Sequence, residues 1–160
     1  MTRPQPGPDD DRRWLRLAVD LAHLCPPSES AFSVGSVIVS DSEEIARGYS
    51  RETDINVHAE EAALAKLDPA DPRLTRATIY SSLEPCSARR SRPRTCTQLI
   101  LSARIPRVVF AWREPALFVD AHGLEELRSA GVEVIEIPDL AEAARSANTH
   151  LRLSEAEDRR

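Results

Sequence analysis

The chain is poor in the residues that would place it in several large classes of protein. Its 160 residues include three cysteines, five glycines and one methionine, and a single lysine, Lys66, against twenty arginines. An odd cysteine count argues against a disulfide-stapled scaffold, which needs pairs, and for a reducing compartment where thiols persist. No apolar run approaches the roughly 20 residues needed to cross a bilayer. The opening "MTRPQPGPDDDRR" is polar and proline-rich and lacks the apolar segment of a secretory signal. A cytoplasmic location is therefore expected, with residues 1–10 as a disordered tail. The net charge of −5 deprives the chain of the cationic surface that phosphate backbones require, which argues against a nucleic-acid partner. The bias of arginine over lysine reflects coding composition as readily as function, so no single arginine carries weight by itself.

An apolar fraction of 41% over this length suffices for one domain with a buried core. That domain is expected over residues 11–153, with 154–160 frayed. Helical spacing of Trp14, Leu17, Ala18, Leu21, Leu24 and Cys25 predicts a helix from Asp10 to the Pro26-Pro27 stop. The β-branched run over 34–39 and "EIARGYS" predict two strands paired antiparallel across a "DSEE" turn. "VHAEEAALAKLD" is rich in helix formers, and Ala59, Ala62, Ala63 and Leu67 offer a narrow packing face. "RATIYSSLE", "RVVFAW" and "VEVIEI" predict further strands, separated by helices at "TQLILSA" and "AHGLEELRSAG", the second closed by Gly131. A last helix, "DLAEAARSANTHLRL", opens on Asp139 as its cap. Such alternation predicts a three-layer α/β/α fold around a five-stranded mixed sheet. A helix separates the last two strands, so they are expected to run parallel.

His58 and Glu60 stand two apart at a helix start. Within a helix such residues point to different sides, but in the first turn they can share one site, where unpaired N–H groups favour an anion. H-x-E alone is a weak signal and equally describes a solvated helix start. Pro85-Cys86 ends a strand and Cys96 precedes a helix, and ligands bind where strand C-termini face helix N-termini. His58, Cys86 and Cys96 thus come from two junctions that can converge. One imidazole and two thiolates leave open the fourth position of a tetrahedral zinc site, as in a catalytic rather than a structural centre. Cys25 ends the first helix, where packing is the simpler reading, and His23, His122 and His150 stand alone.

"HAE" on a helix, followed about 25 residues later by "LEPC" and then by a cysteine before a helix, resembles the zinc-dependent cytidine/deoxycytidylate deaminase superfamily. The resemblance runs from "WLRLAVDLA" to "VEVIEI". The long cysteine spacing and "RVVFAW…EP…HGLEELRSAGVEV" look most like the pyrimidine deaminase domain of the riboflavin-pathway deaminase/reductase. It implies a hydrolase acting on C–N bonds of cyclic amidines, with His58, Cys86 and Cys96 holding one Zn2+ per chain. Glu60 is then the proton carrier between water, the ring nitrogen and the amine that leaves as ammonia. The implied partners are a small aminated heterocycle, phosphorylated if the arginines serve it, and a second copy in a homodimer. Phe32, Ser50, Ala59 and Glu84 fall around the implied substrate, as do Arg89, Arg90 and Arg92 between the cysteines. A nucleobase or nucleoside deaminase of cytosine, cytidine or guanine type is the alternative. A single-stranded nucleic-acid editor is a reading of another class, and the retained Glu60 argues against a catalytically silent zinc scaffold.

The chain also departs from that branch. "Ala31-Phe32-Ser33" stands where an Asn-Pro element precedes the Val-Gly pair, and Phe32 either walls a ring or packs beneath the sheet. Ser50 stands where relatives carry Asn or His. The segment between the cysteines is one residue longer than usual there and lacks the His-His-Gly-Arg-Thr-Pro-Pro character. Its Arg89, Arg90, Arg92 and Arg94 offer forks for a phosphate or simply face water. Glu114 and His122-Gly123 are further candidates for the same mouth.

Overall fold

The computed structural model describes residues 5–87, 93–113 and 123–151 and opens on helix α1 (Pro8–Ala22). The helix starts before the Asp10 expected from periodicity because Pro8 suits a first turn and the Gly7 N–H donates to Asp10 Oδ2 at 3.2 Å. It ends at Ala22, short of Cys25. Pro26 disfavours helical geometry at Cys25, and Leu24, expected on the apolar face, is 63% exposed.

Strands β1 (Gly35–Ser40) and β2 (Glu43–Tyr49) form the expected antiparallel hairpin. Its turn is only Asp41 and Ser42, whose φ angles of 53° and 65° are the left-handed pair that matches strand twist in a two-residue hairpin. Helix α2 (Ala59–Leu64) follows, then a 3-10 turn over Pro72–Arg76 that the sequence did not announce, capped by Asp71 accepting the Arg73 N–H at 2.9 Å. Strand β3 (Ala77–Leu83), helix α3 (Cys96–Ser102), strand β4 (Arg107–Trp112), helix α4 (Gly123–Ser129), strand β5 (Glu133–Glu136) and helix α5 (Ala141–Ser146) complete the chain order.

The sheet order is β2-β1-β3-β4-β5, with β1 antiparallel to both neighbours and β3, β4 and β5 parallel. The parallel last strand is as expected. α1 and α5 cover one face, around Leu15, Val37, Tyr80 and Val109; α2, α3 and α4 cover the other, around Ile38, Ile79, Ile100 and Leu127. Two glycines set how near the helices come. A Cβ at Gly35 would lie 1.9 Å from the Ala18 carbonyl oxygen, and one at Gly48 would lie 2.5 Å from the Ala63 nitrogen. Only glycine fits such contacts.

Two polar residues do other work than their local sequence suggests. Asp139 does not cap α5: a 3-10 turn (Pro138–Leu140) intervenes, Leu140 takes the cap position, and Asp139 accepts from Arg12 at 2.6 Å. Asp11 is buried in the first turn of α1. It accepts from Arg107 Nη1 and Nη2 at 2.7 and 2.6 Å and from the Tyr80 hydroxyl at 2.7 Å. Burial and its bond to Asp11 push the Tyr80 phenol up. This network ties α1 to β3 and β4 on the side where β4 enters the sheet. The opposite ends of the parallel strands carry the residues considered next.

Candidate metal centre

His58 takes extended backbone angles, φ −88° and ψ 161°, immediately before α2, and its N–H donates to Glu61 Oε1 at 3.2 Å. The chain has therefore only just entered the helix at Glu60, so His58 and Glu60 avoid the divergence of a full turn. Ala59 between them is fully buried and packs into the core. The approach is fixed by the Arg51 N–H donating to the Val57 carbonyl at 2.9 Å.

The second junction is at the exit of β3. The Glu84 N–H donates to the Trp112 carbonyl at 2.8 Å, extending the parallel pairing one residue before Pro85 ends it. The Cys86 carbonyl accepts the Thr97 N–H at 3.1 Å, and Cys86 Sγ accepts the Cys96 N–H at 3.2 Å. The start of α3 is thereby stapled to the end of β3. Thr95 and Gln98 close that helix start with reciprocal side-chain to backbone bonds of 3.1 and 2.9 Å.

The two junctions meet. His58 Nδ1 lies 3.3 Å from Cys96 Sγ and 3.5 Å from Cys86 Sγ, and the three ligand atoms lie within 4.8 Å of one another. For bonds of about 2.0–2.1 Å to nitrogen and about 2.3 Å to sulfur, a tetrahedral centre has N–S edges of about 3.6 Å. The donor set thus fits zinc in type and spacing, and no disulfide competes for the thiols. Hydrogen bonding with Cys96 and with His58, and the charge of His58, draw the Cys86 thiol down to about 4 against the opposing effect of burial. A thiolate is the form a metal binds. Glu60, 3% exposed, is the acid beside this group. Burial first and the charge of Cys86 second push its carboxyl above the ordinary range, while the charge of His58 and a hydrogen bond from Cys96 oppose the shift.

The other described residues singled out in the sequence lie outside this donor cluster. Glu84 is buried at the strand exit, two residues from Cys86. Ser50 is buried, and its hydroxyl accepts the Val34 N–H at 3.0 Å at the entrance to β1. Phe32 is half-buried with its ring edge-on to Trp112, centroids 5.8 Å apart. The exposed Arg94 donates to Ser102 Oγ. Arg89, Arg90, Arg92, Glu114 and His122 lie outside the described residues. Cys25 stands apart from the centre, donating to the Val34 carbonyl at 3.4 Å, with burial pushing its thiol up. Sequence reasoning passed over Arg51, Trp112 and Asn148. Their partners are distant in the chain, and no local pattern marks them.

The family model for the cytidine and deoxycytidylate deaminase zinc-binding region matches residues 8–112, a span that includes His58, Glu60, Cys86 and Cys96. Over 132 residues the chain is 41% identical to the diaminohydroxyphosphoribosylamino-pyrimidine deaminase of Schizosaccharomyces pombe, covering 81% of this chain and 32% of that protein. Over 145 residues it is 33% identical to the riboflavin biosynthesis protein RibD of Aquifex aeolicus, covering 86% and 37%. It therefore spans about a third of the length of these curated relatives. A diaminohydroxyphosphoribosylaminopyrimidine deaminase/5-amino-6-(5-phosphoribosylamino)uracil reductase from Thermotoga maritima superposes with a TM-score of 0.76 at 31% identity, covering 87% of this chain and 39% of that one. A C-terminal deletion mutant of the Rib2 deaminase of Aspergillus oryzae gives 0.75 at 25% identity, covering 86% of this chain and 89% of that one. With its zinc-binding region matched from α1 through β4, this chain belongs to the cytidine and deoxycytidylate deaminase family.

Proposed function

We propose that this chain is a zinc-dependent hydrolytic deaminase of an aminopyrimidine nucleotide of the diaminohydroxyphosphoribosylaminopyrimidine type. The observation that carries the reading is the Glu60 carboxyl, buried beside the convergent His58, Cys86 and Cys96 donors. The substrate class is supported by the names of relatives such as the Schizosaccharomyces pombe and Thermotoga maritima proteins.

His58 Nδ1, Cys86 Sγ and Cys96 Sγ would hold one zinc per chain. When bound, zinc supplies the Lewis acidity that brings the pKa of a water down to about 7. Glu60 takes a proton from the attacking water and passes it to the ring nitrogen next to the amine-bearing carbon. It then moves the hydroxyl proton of the tetrahedral adduct to the amine, the C–N bond breaks, a carbonyl forms and ammonia leaves. A carboxyl buried beside the donors is placed to carry a proton between these transfers. Arg89, Arg90 and Arg92 are assigned to the substrate phosphate on their chemistry and their position between the two cysteines. The reading takes residues 11–153 as the deaminase domain and, on family resemblance, a cytoplasmic homodimer as the working form.

The test is a screen for ammonia release by the zinc-loaded chain. The substrates are the diaminohydroxyphosphoribosylaminopyrimidine, cytosine, cytidine, deoxycytidylate and guanine. Release from the first alone is expected. Release from a base or nucleoside alone would move the substrate to the salvage class. Release from none would overturn the deaminase reading.

A further inference from the structure

The segment of residues 31–34, between α1 and β1, belongs to no helix or strand before Gly35, yet its backbone is bonded at every residue. The Ala31 carbonyl is 2.7 Å from His150 Nε2, and the Phe32 carbonyl accepts from Arg51 Nη1 at 3.0 Å. At Ser33 the Asn148 amide takes both groups: Oδ1 accepts the Ser33 N–H at 2.7 Å and Nδ2 donates to the Ser33 carbonyl at 3.0 Å. At Val34 the N–H goes to Ser50 Oγ and the carbonyl accepts the Ser50 N–H, both at 3.0 Å. Such pairing normally comes from a neighbouring strand. Here most of it comes from side chains on two remote segments.

Asn148 is 2% exposed, and its second amide hydrogen serves the Ala144 carbonyl at 3.2 Å, so its one acceptor and both donors are used in one orientation. Arg51 spreads its guanidinium over the Phe32 carbonyl, the Pro26 carbonyl and Ser33 Oγ at 2.8–3.0 Å. It does so from a left-handed backbone, φ 62°, a conformation that costs a non-glycine residue energy and persists where its surroundings demand it.

Both clamps lead to the metal centre. The Arg51 N–H holds the Val57 carbonyl, adjoining His58. The Phe32 ring stands edge-on to Trp112, whose carbonyl holds the Glu84 N–H two residues before Cys86. The Arg145 guanidinium of α5 lies over the Trp112 ring, 5.8 Å from its centroid.

We infer that Asn148, together with Arg51, is a positioning residue that holds residues 31–34, and with them Phe32 against Trp112, as a preassembled wall tied to the metal centre through Val57 and Glu84. The segment after α5 is thereby part of the substrate site, although it lies beyond residues 8–112, which the family model for the zinc-binding region matches. This inference rests on the deaminase reading above. A wall held in place before the substrate arrives spares the binding step the entropy of ordering it.

The test uses the full zinc-loaded chain and its Asn148→Ala variant, assayed on the diaminohydroxyphosphoribosylaminopyrimidine. Loss of the clamp is expected to raise KM about tenfold while kcat changes less than about threefold, as for groups that act on binding rather than on chemistry. Zinc content is expected to remain that of the parent. In hydrogen exchange, protection of the Ser33 amide should be lost while Ile79 and Val108 in the sheet stay protected. A variant that only melts earlier, with KM unchanged and protection lowered everywhere, would overturn the inference and leave Asn148 a structural residue. Should Asn148→Ala not give folded protein, Arg51→Lys removes the fork but keeps the charge and is held to the same criteria. A parent protein that releases no ammonia from any substrate of the screen overturns the deaminase reading and this inference with it; an active parent with unaltered variants overturns this inference alone.

Discussion

Gly48 of β2 and Ala63 of α2 meet with no side chain between them: a Cβ at Gly48 would lie 2.5 Å from the Ala63 nitrogen and 2.6 Å from the Ala59 carbonyl oxygen. That contact seats the helix whose first turn carries Glu60 and whose cap is His58. A glycine in a strand is thus part of how the metal centre is placed.

Gly48→Ala is expected to lift α2 from the sheet, with an overpacking cost of about 1–3 kcal/mol. Zinc retention after dialysis should fall along with the melting temperature. Gly35→Ala makes the matching change under α1 and should lower the melting temperature without releasing zinc. Equal zinc loss in both variants would show that α2 is not seated by this contact.

Glu60→Ala is expected to keep a full complement of zinc and to lose ammonia release by about 10²- to 10⁴-fold, the range of a lost general acid–base group. Metal analysis and steady-state assay on the same preparation decide it. Full activity in the variant would remove Glu60 from the mechanism.

The same residue gives a pH signature in zinc-free protein. Its folded pKa is raised, so the folded chain keeps a proton that the unfolded chain gives up once the pH passes the ordinary carboxylate value. Its contribution is therefore most favourable at low pH and is lost as the pH rises through the raised value. Glu60→Gln lacks this titration. In chelator, the melting temperature of the variant relative to the parent should rise with pH through that window and then level off. A variant that loses ground to the parent as the pH rises would reverse the assignment.

Asp11→Ala leaves the Arg107 guanidinium buried without its fork partner and should cost about 3–5 kcal/mol, as broken buried ion pairs do. Thermal unfolding should show the loss. Below the melting range, zinc content and ammonia release per folded molecule should match the parent, because this network lies away from the strand ends that carry the site.

The sheet and the centre were legible in the amino-acid order for different reasons. Strands such as "RVVFAW" announce themselves because a strand buried on both faces must be apolar along its length. The parallel final pair follows from the helix between those strands. His58, Cys86 and Cys96 were legible because each sits at a junction between elements, where the local pattern says both what the residue is and which end of the sheet it occupies.

Tertiary structure alone decided the rest. Asp139 has the chemistry of a cap, yet a 3-10 turn displaces it toward Arg12. Asp11 reads as a solvated helix-start acid and is a buried ion-pair partner of Arg107, 96 residues away. Asn148 reaches Ser33 across 115 residues. Local sequence determines what a segment can form by itself, through backbone preference and the period of its apolar residues. Which polar group meets which is settled only when the folded chain brings distant segments into contact and burial makes an unmade hydrogen bond costly.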